Sequence, residues 1–122
     1  MKYLAKSIRG FIGAKDFQVS RRFYTELGFE ESVIDKKMSL FKVNDKLAFY
    51  LQDYYIKDWI NNSMLFLEVD DVEKCQKVLL EKRLPEKFKG VRLTDIKTWD
   101  WGREIFMHDP SGVLWHFGQF ND

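Results

Sequence analysis

Two stretches of this chain, 55 residues apart, carry the same local grammar. In each, a short apolar run leads to an aspartate, and an amphipathic helix pattern follows. Sliding the sequence by that offset places Phe11 on Phe66, Ile12 on Leu67, Asp16 on Asp71, Phe17 on Val72, Phe23 on Val78 and Tyr24 on Leu79. The repeat is weak, since only two residue types are identical and two unrelated strand-helix units with ordinary caps would give the same pattern, but the matching order of elements that follows favours one unit used twice. Ser7 to Ala14 reads as a strand. From Asp16 to Leu27, Phe17, Ser20, Tyr24 and Leu27 share one helical face, with Asp16 as N-cap and Gly28 as the C-terminal stop. Phe29 to Asp35, Met38 to Val43 and Leu47 to Gln52 read as three strands, the last two joined through Asn44 and Asp45.

After an aromatic loop from Asp53 to Asn62 the order restarts. Met64 to Val69 predicts a strand, and Asp71 to Arg83 a helix with Val72, Cys75, Val78 and Leu79 inward, supported by Glu73 and Lys77 at i,i+4. Pro85 and Gly90 mark a loop. Strands are expected near Val91 to Thr98 and Arg103 to His108, then a turn Asp109-Pro110-Ser111-Gly112 and a last strand from Val113 to Phe120. The expected fold is therefore α+β: two βαβββ modules, about 4–53 and 63–120, within one domain spanning 1–122, since 122 residues leave no room for a second.

Charge and cysteine content narrow the partners. Twenty Lys and Arg against nineteen Asp and Glu give a net charge of +1, which offers no strong field to nucleic acid or an acidic membrane. No stretch reaches 18 apolar residues, and Met1 to Gly10 contains no apolar run. The lone Cys75 excludes an internal disulfide and suits a reducing compartment, so a cytoplasmic location is expected. The aromatic share, 16%, exceeds what a small core requires, so some rings are expected to line a pocket. Each open sheet would also leave aromatic surface uncovered, which points to a homodimer.

The run Trp101-Gly102-Arg103-Glu104 through Asp109-Pro110-Ser111-Gly112 to His116-Phe117 resembles the signature of the vicinal oxygen chelate superfamily, which includes glyoxalase I, extradiol dioxygenases, and fosfomycin and bleomycin resistance proteins. It is most similar to the bleomycin resistance branch. Phe23-Tyr24-Thr25-Glu26-Leu27-Gly28-Phe29 after Asp16, and Asp70-Asp71 at the second helix, extend the resemblance over nearly the whole chain. The resemblance implies a dimer with a ligand cleft at its interface, and in metal-dependent members three ligand positions. Those positions correspond here to Arg9, Met64 and His116. Arg9 is a permanent cation and Met64 a soft thioether that suits copper(I) rather than zinc, manganese or iron. Gln52 adds one amide oxygen at most. Three protein ligands are the usual minimum, so no metal and no cofactor is expected.

Treating Asp109 to Gly112 as a four-residue loop pairs His108 with Val113, Ile105 with His116 and Arg103 with Gly118. Because the family's metal position looks into the cleft, the resemblance implies that the cleft face carries Trp101, Arg103, Ile105, Met107, Leu114 and His116, while Trp115, Phe117, Phe106 and His108 face the helices or the rim. Trp101 is expected to wall the cleft, with Gly102 permitting close approach. Trp99 is a second wall or an interface residue, and Arg103 an anion anchor or a structural partner. His116 is expected to act as a neutral hydrogen-bonding residue rather than a base, no carboxylate being visible to orient it. Phe41 and Phe49 belong to the core or the pocket, and Trp59 with its loop covers a dimer seam or a flat ligand.

The expected function is metal-free sequestration of a small aromatic compound or antibiotic by Trp101, Arg103, Trp99, Phe49, Phe41, Trp59, His116, Arg9 and Met64, without catalysis. With Arg9 and Arg103 in the cleft, an uncharged or anionic ligand is expected. The alternatives are a lyase-, isomerase- or dioxygenase-like enzyme with an unusual metal set or with His116 as base, and an interaction module.

Overall fold

The computed structural model describes residues 2–122. Its first module runs β1 (Phe11–Gly13), α1 (Phe17–Leu27), β2 (Glu30–Asp35), β3 (Met38–Lys42) and β4 (Ala48–Gln52). A short α2 (Lys57–Asn61) leads to the second: β5 (Met64–Glu68), α3 (Val72–Lys82), α4 (Leu84–Lys87), β6 (Arg92–Leu93), β7 (Lys97–Thr98), β8 (Gly102–His108) and β9 (Leu114–Phe120). Each module builds one mixed sheet on one plan. The first strand lies parallel to the last, giving the order β1-β4-β3-β2 in one sheet and β5-β9-β8-β6 in the other, with β7 also on β8.

The two long helices are where the repeat is closest. Asp16 Oδ1 accepts from the Val19 N–H and Asp71 Oδ1 from those of Glu73 and Lys74, so equivalent aspartates satisfy first-turn donors. Both helices end on a left-handed residue, Gly28 at φ 113° and Arg83 at φ 53°. α1 turns Phe17, Ser20, Phe23, Tyr24 and Leu27 inward. In α3 only Val72 and Leu79 are fully buried, and Val78, expected inside, is half exposed.

A single core spans both modules. Phe23, Tyr24 and Phe88 meet Phe41, Phe49 and Leu51 of the first sheet and Ile105, Met107, Trp115 and Phe117 of the second. Sealing each such side chain from water contributes about 1.5–3 kcal/mol. Tyr24 alone has its ring centroid 5.2 Å from that of Phe49 and 5.8 Å from that of Trp115. One face of each sheet is thus spent on the core, and the opposite face is open.

Four local expectations change. The strand expected over Ser7–Ala14 shortens to β1: just before it the Gly10 carbonyl still accepts from the Tyr50 N–H of β4 at 2.9 Å, but Tyr3, Leu4 and Ile8 are exposed. The strand expected over Val91–Thr98 breaks into β6 and β7, so the described residues form nine strands in place of eight. The aromatic loop contains α2, and Pro85 sits in the first turn of α4, where its missing N–H costs nothing.

The fourth change moves side chains between faces. The β8–β9 hairpin pairs His108 with Leu114, Phe106 with His116 and Glu104 with Gly118, one residue out of the expected register. The cause is Asp109. Its Oδ1 accepts from the N–H groups of Ser111, Gly112 and Val113, each at 2.9 Å, which holds Val113 in the loop and lengthens it to five residues. A one-residue slip sends every side chain of a strand to the other face. Arg103, Ile105 and Met107 therefore face the helices, and Glu104, Phe106 and His108 take the open face.

Candidate functional site

The open face of the second sheet carries Met64 and Phe66 from β5, Glu104 and Phe106 from β8, and His116, Gly118 and Phe120 from β9, with Trp99 and Trp101 along one end. Gly118 is central. A side chain there would collide with the Phe66 ring, so its absence lets that ring lie on the sheet. Around Phe66 stand Phe120 at 5.5 Å, Trp101 at 5.8 Å and His116 at 6.0 Å between ring centroids, and Trp101 lies 5.4 Å from Phe120. These rings remain solvent-accessible, Phe66 at 44%, Trp101 at 38% and Phe120 at 48%.

A polar chain runs beside the rings. The Trp99 indole N–H donates to Glu104 Oε2 at 2.7 Å, and Glu104 Oε1 lies 2.8 Å from His116 Nδ1. Glu104 is only 5% exposed, and both its oxygens are engaged. A carboxylate accepts, so Nδ1 carries the hydrogen and Nε2 is left for other chemistry. Nε2 faces the Met64 sulfur at 3.3 Å, and the Phe106 ring meets the imidazole edge-on at 5.0 Å. Farther along the face, burial and the neighbouring Arg92 charge push the His108 pKa down.

Four of the residues expected from the sequence thus come together: Trp99, Trp101, His116 and Met64. The others lie elsewhere. Arg103 crosses to the helix side, where it donates to Glu73 Oε1 at 2.6 Å and lies 3.5 Å from Gln119. Phe41 and Phe49 are core residues, 0% and 3% exposed. Trp59 is half-buried beside Tyr54, their centroids 5.9 Å apart. Arg9 belongs to the first sheet, donating to the Tyr50 hydroxyl at 3.1 Å with its guanidinium 5.8 Å from the Tyr50 ring centre, and Phe11 stacks on that ring at 4.7 Å.

This placement bears on divalent metal binding and on ligand charge. Arg9 is occupied by Tyr50, Met64 offers a thioether, and among the described residues no three of His, Cys, Asp and Glu converge. The donor set does not fit zinc, iron or manganese. The anionic preference expected from the sequence also loses its premise, because Arg103 faces away while Glu68 and Glu104 share the open face with Phe66.

No protein-family model and no curated protein matches this sequence. Solved structures do. A bleomycin-binding protein complexed with bleomycin superposes with a TM-score of 0.79 at 19% identity, over 96% of this chain and 100% of that one. The chain has the glyoxalase/bleomycin resistance fold. A protein with this fold from Catenulispora acidiphila matches with a TM-score of 0.75 at 18% identity over 96% and 100% of the two chains. TnmS3, an antibiotic-binding protein from a Streptomyces species, matches with a TM-score of 0.75 at 20% identity over 98% and 100%. The α+β class and the paired βαβββ modules agree with these neighbours.

Within this fold, sequence reasoning missed Glu104, Phe66 and Phe120 as site residues. Glu104 is the carboxylate judged absent beside His116. A five-residue loop in place of a four-residue one would have exposed it, since that register puts Glu104 and His116 on one face of the hairpin. No helix among the described residues is long and apolar enough to cross a membrane.

Proposed function

We propose that this protein binds a planar aromatic small molecule, without consuming it, on the open face of the second sheet. One observation carries the reading: Phe66, Trp101 and Phe120 form an accessible ring cluster directly beside the Trp99–Glu104–His116 chain. Apolar walls with a few fixed polar groups are the usual make-up of a small-molecule site. The bleomycin-binding and antibiotic-binding neighbours support the ligand class. Glu68 and Glu104 favour a cationic compound or one rich in hydrogen-bond donors.

The whole chain acts as one domain, and a second copy covers the open faces. Phe11, Phe66, Trp101 and Phe120 are each more than a third exposed on these faces, which supports a homodimer with the ligand held at the seam. Cys75 as a free thiol supports a cytoplasmic setting.

Titration of tryptophan fluorescence with metal-free bleomycin, cationic proflavine and anionic anilinonaphthalene sulfonate tests this reading. Saturable quenching is expected, tighter for the two cations, with Trp101→Ala weakening it by roughly 1–3 kcal/mol. Absence of quenching by all three, or binding untouched by Trp101→Ala, would overturn it. A second reading, an enzyme with His116 as general base, is favoured by the Glu104 contact to Nδ1. Turnover of a bound compound that is lost in His116→Gln would establish that reading instead.

A further inference from the structure

On the reading that the second sheet binds an aromatic ligand, we infer that this ligand also carries a carboxylate, held by Arg92 with His108 at the end of the open face away from Trp101. Strand register places the pair. Arg92 of β6 lies opposite His108 of β8, and the row continues through Leu114 of β9 to Met64 of β5. Directly opposed residues point to the same side of a sheet, so all four share the open face. The next row, two residues along each strand and so about 7 Å away, holds Phe106, His116 and Phe66. A ring lying on Phe66 therefore has Arg92 and His108 one row to one side, and Glu104 and Glu68 one row to the other.

Neither donor has an anion of its own. Among the described residues no carboxylate lies within ion-pair distance of Arg92 or His108, whereas His116 on the same face has Glu104 at 2.8 Å. Burial and the Arg92 charge together hold the His108 pKa down, with no negative charge to offset them. The other open-face neighbours of His108, Phe106 and Leu114, are uncharged, and Asp109, next in the chain, is turned into the core against Tyr24. A carboxylate is the group that fits this corner. Its two oxygens match the paired N–H groups of a planar guanidinium, and a remaining lone pair accepts from the imidazole N–H. With Glu104 and Glu68 beyond Phe66, the face suits an amphoteric compound: a cationic or donor-rich ring with an acid on one side. Opposite charges at its two ends would seat such a ligand in one direction only.

Rhodamine B and its methyl ester test this, because both carry the same planar cationic xanthene and only the first has a free carboxylate. Fluorescence anisotropy with the full chain near neutral pH is expected to show the acid binding about fivefold more tightly than the ester, the upper range for a pair open to solvent. Added salt should shrink that preference. Arg92→Gln is expected to abolish it, weakening the acid and leaving the ester unchanged. NMR of the unmodified protein is expected to show the His108 pKa rising when the acid binds, since its charge offsets that of Arg92, and not when the ester binds. Arg92 is exposed on the edge strand β6, so the variant leaves the core intact, and the two dyes with the His108 signal decide the matter even if it does not fold. Equal affinity for acid and ester, a preference kept in Arg92→Gln, or a His108 pKa indifferent to the acid would each overturn the carboxylate subsite and leave the aromatic reading standing. Binding of neither dye would overturn both.

Discussion

The Tyr24 hydroxyl donates to Asp109 Oδ2 at 2.6 Å, both residues wholly buried, and so ties the helix of the first module to the hairpin turn of the second. The Trp115 indole N–H donates to the same hydroxyl at 2.9 Å. Asp109 meanwhile organises its own turn through Oδ1. One phenol therefore joins the module interface to the loop that sets the β8–β9 register, and through that register to the face on which Glu104 and His116 meet.

Replacing Tyr24 by Phe keeps the ring and removes the bridge. A buried carboxylate oxygen and a buried indole N–H each lose their partner, for which about 2–4 kcal/mol of destabilisation is expected. Urea unfolding measures it. The midpoint should fall with little change in slope, because the surface exposed on unfolding is unaltered. A loss under about 0.5 kcal/mol, typical of neutral surface changes, would show that the bridge does not hold the modules.

Stability should respond to pH in two opposing ways. The guanidinium of Arg21, bonded to Glu31 at 2.6 Å, holds the Glu31 pKa down, with the Ser39 hydroxyl assisting, against a smaller opposing effect of burial. A lowered native pKa gives stability that is present above the unfolded value of about 4.3 and lost as pH falls through the native one. Asp109 has the opposite sign, since burial pushes its pKa up despite the Tyr24 and backbone donors. Its contribution is present below about 3.9 and lost as pH rises through the native value. Glu31→Gln should therefore remove part of the acid-induced loss below about pH 4.3 in a series of unfolding curves. An unchanged acid limb would mean that the Arg21 pair contributes nothing.

Arg83→Gly should stabilise the protein. Arg83 ends α3 in the left-handed conformation at φ 53°, the place that Gly28 takes at the end of α1. That conformation costs a side-chain-bearing residue roughly 1–2 kcal/mol. Glycine relieves it but loses more chain entropy on folding, about 0.5–1 kcal/mol. The Arg83–Glu86 pair lost in the exchange is 3.3 Å long, with both side chains about two-thirds exposed, so it offers little. A net gain of about 0.5 kcal/mol is expected, read as a higher urea midpoint. The reverse change at the equivalent place, Gly28→Ala, should lower it.

The helices were legible because their signals are local. Asp16 and Asp71 cap them, Phe17, Tyr24 and Leu27 give the period, and the shared offset reaches as far as Gly28 and Arg83. The site was only partly legible because it depends on the length of one turn. Whether Asp109-Pro110-Ser111-Gly112 closes in four or five residues is decided by where the Asp109 side chain bonds, and its partner Tyr24 lies 85 positions away. Trp101 and His116 were found by type and position, while Arg103 and Glu104, adjacent in sequence, exchanged faces with the register. The sequence leaves Phe41 and Phe49 between core and pocket, because composition shows only that aromatics are in excess. Which of them Tyr24 draws into the core is a tertiary matter.

Gly118 offers the sharpest separation of site from scaffold. It pairs with Glu104 across β8–β9, and the Phe66 ring occupies the space a side chain would take. In Gly118→Ala the new methyl must displace that ring, which is 44% exposed and free to swing outward, so the backbone need not move. The sheet should tolerate the change, since alanine adds no buried polar group and removes no core contact. The ring cluster should not, because Phe66 would leave the surface it shares with Trp101 and Phe120. Affinity for the cationic aromatic probe is expected to fall about tenfold, or about 1.4 kcal/mol, while urea stability shifts by less than about 1 kcal/mol. Equal affinity in the alanine variant, with the ring shown by NMR to have moved, would place the ligand away from Phe66 and favour the first sheet, where Phe11, Tyr50 and Arg9 form the other aromatic surface.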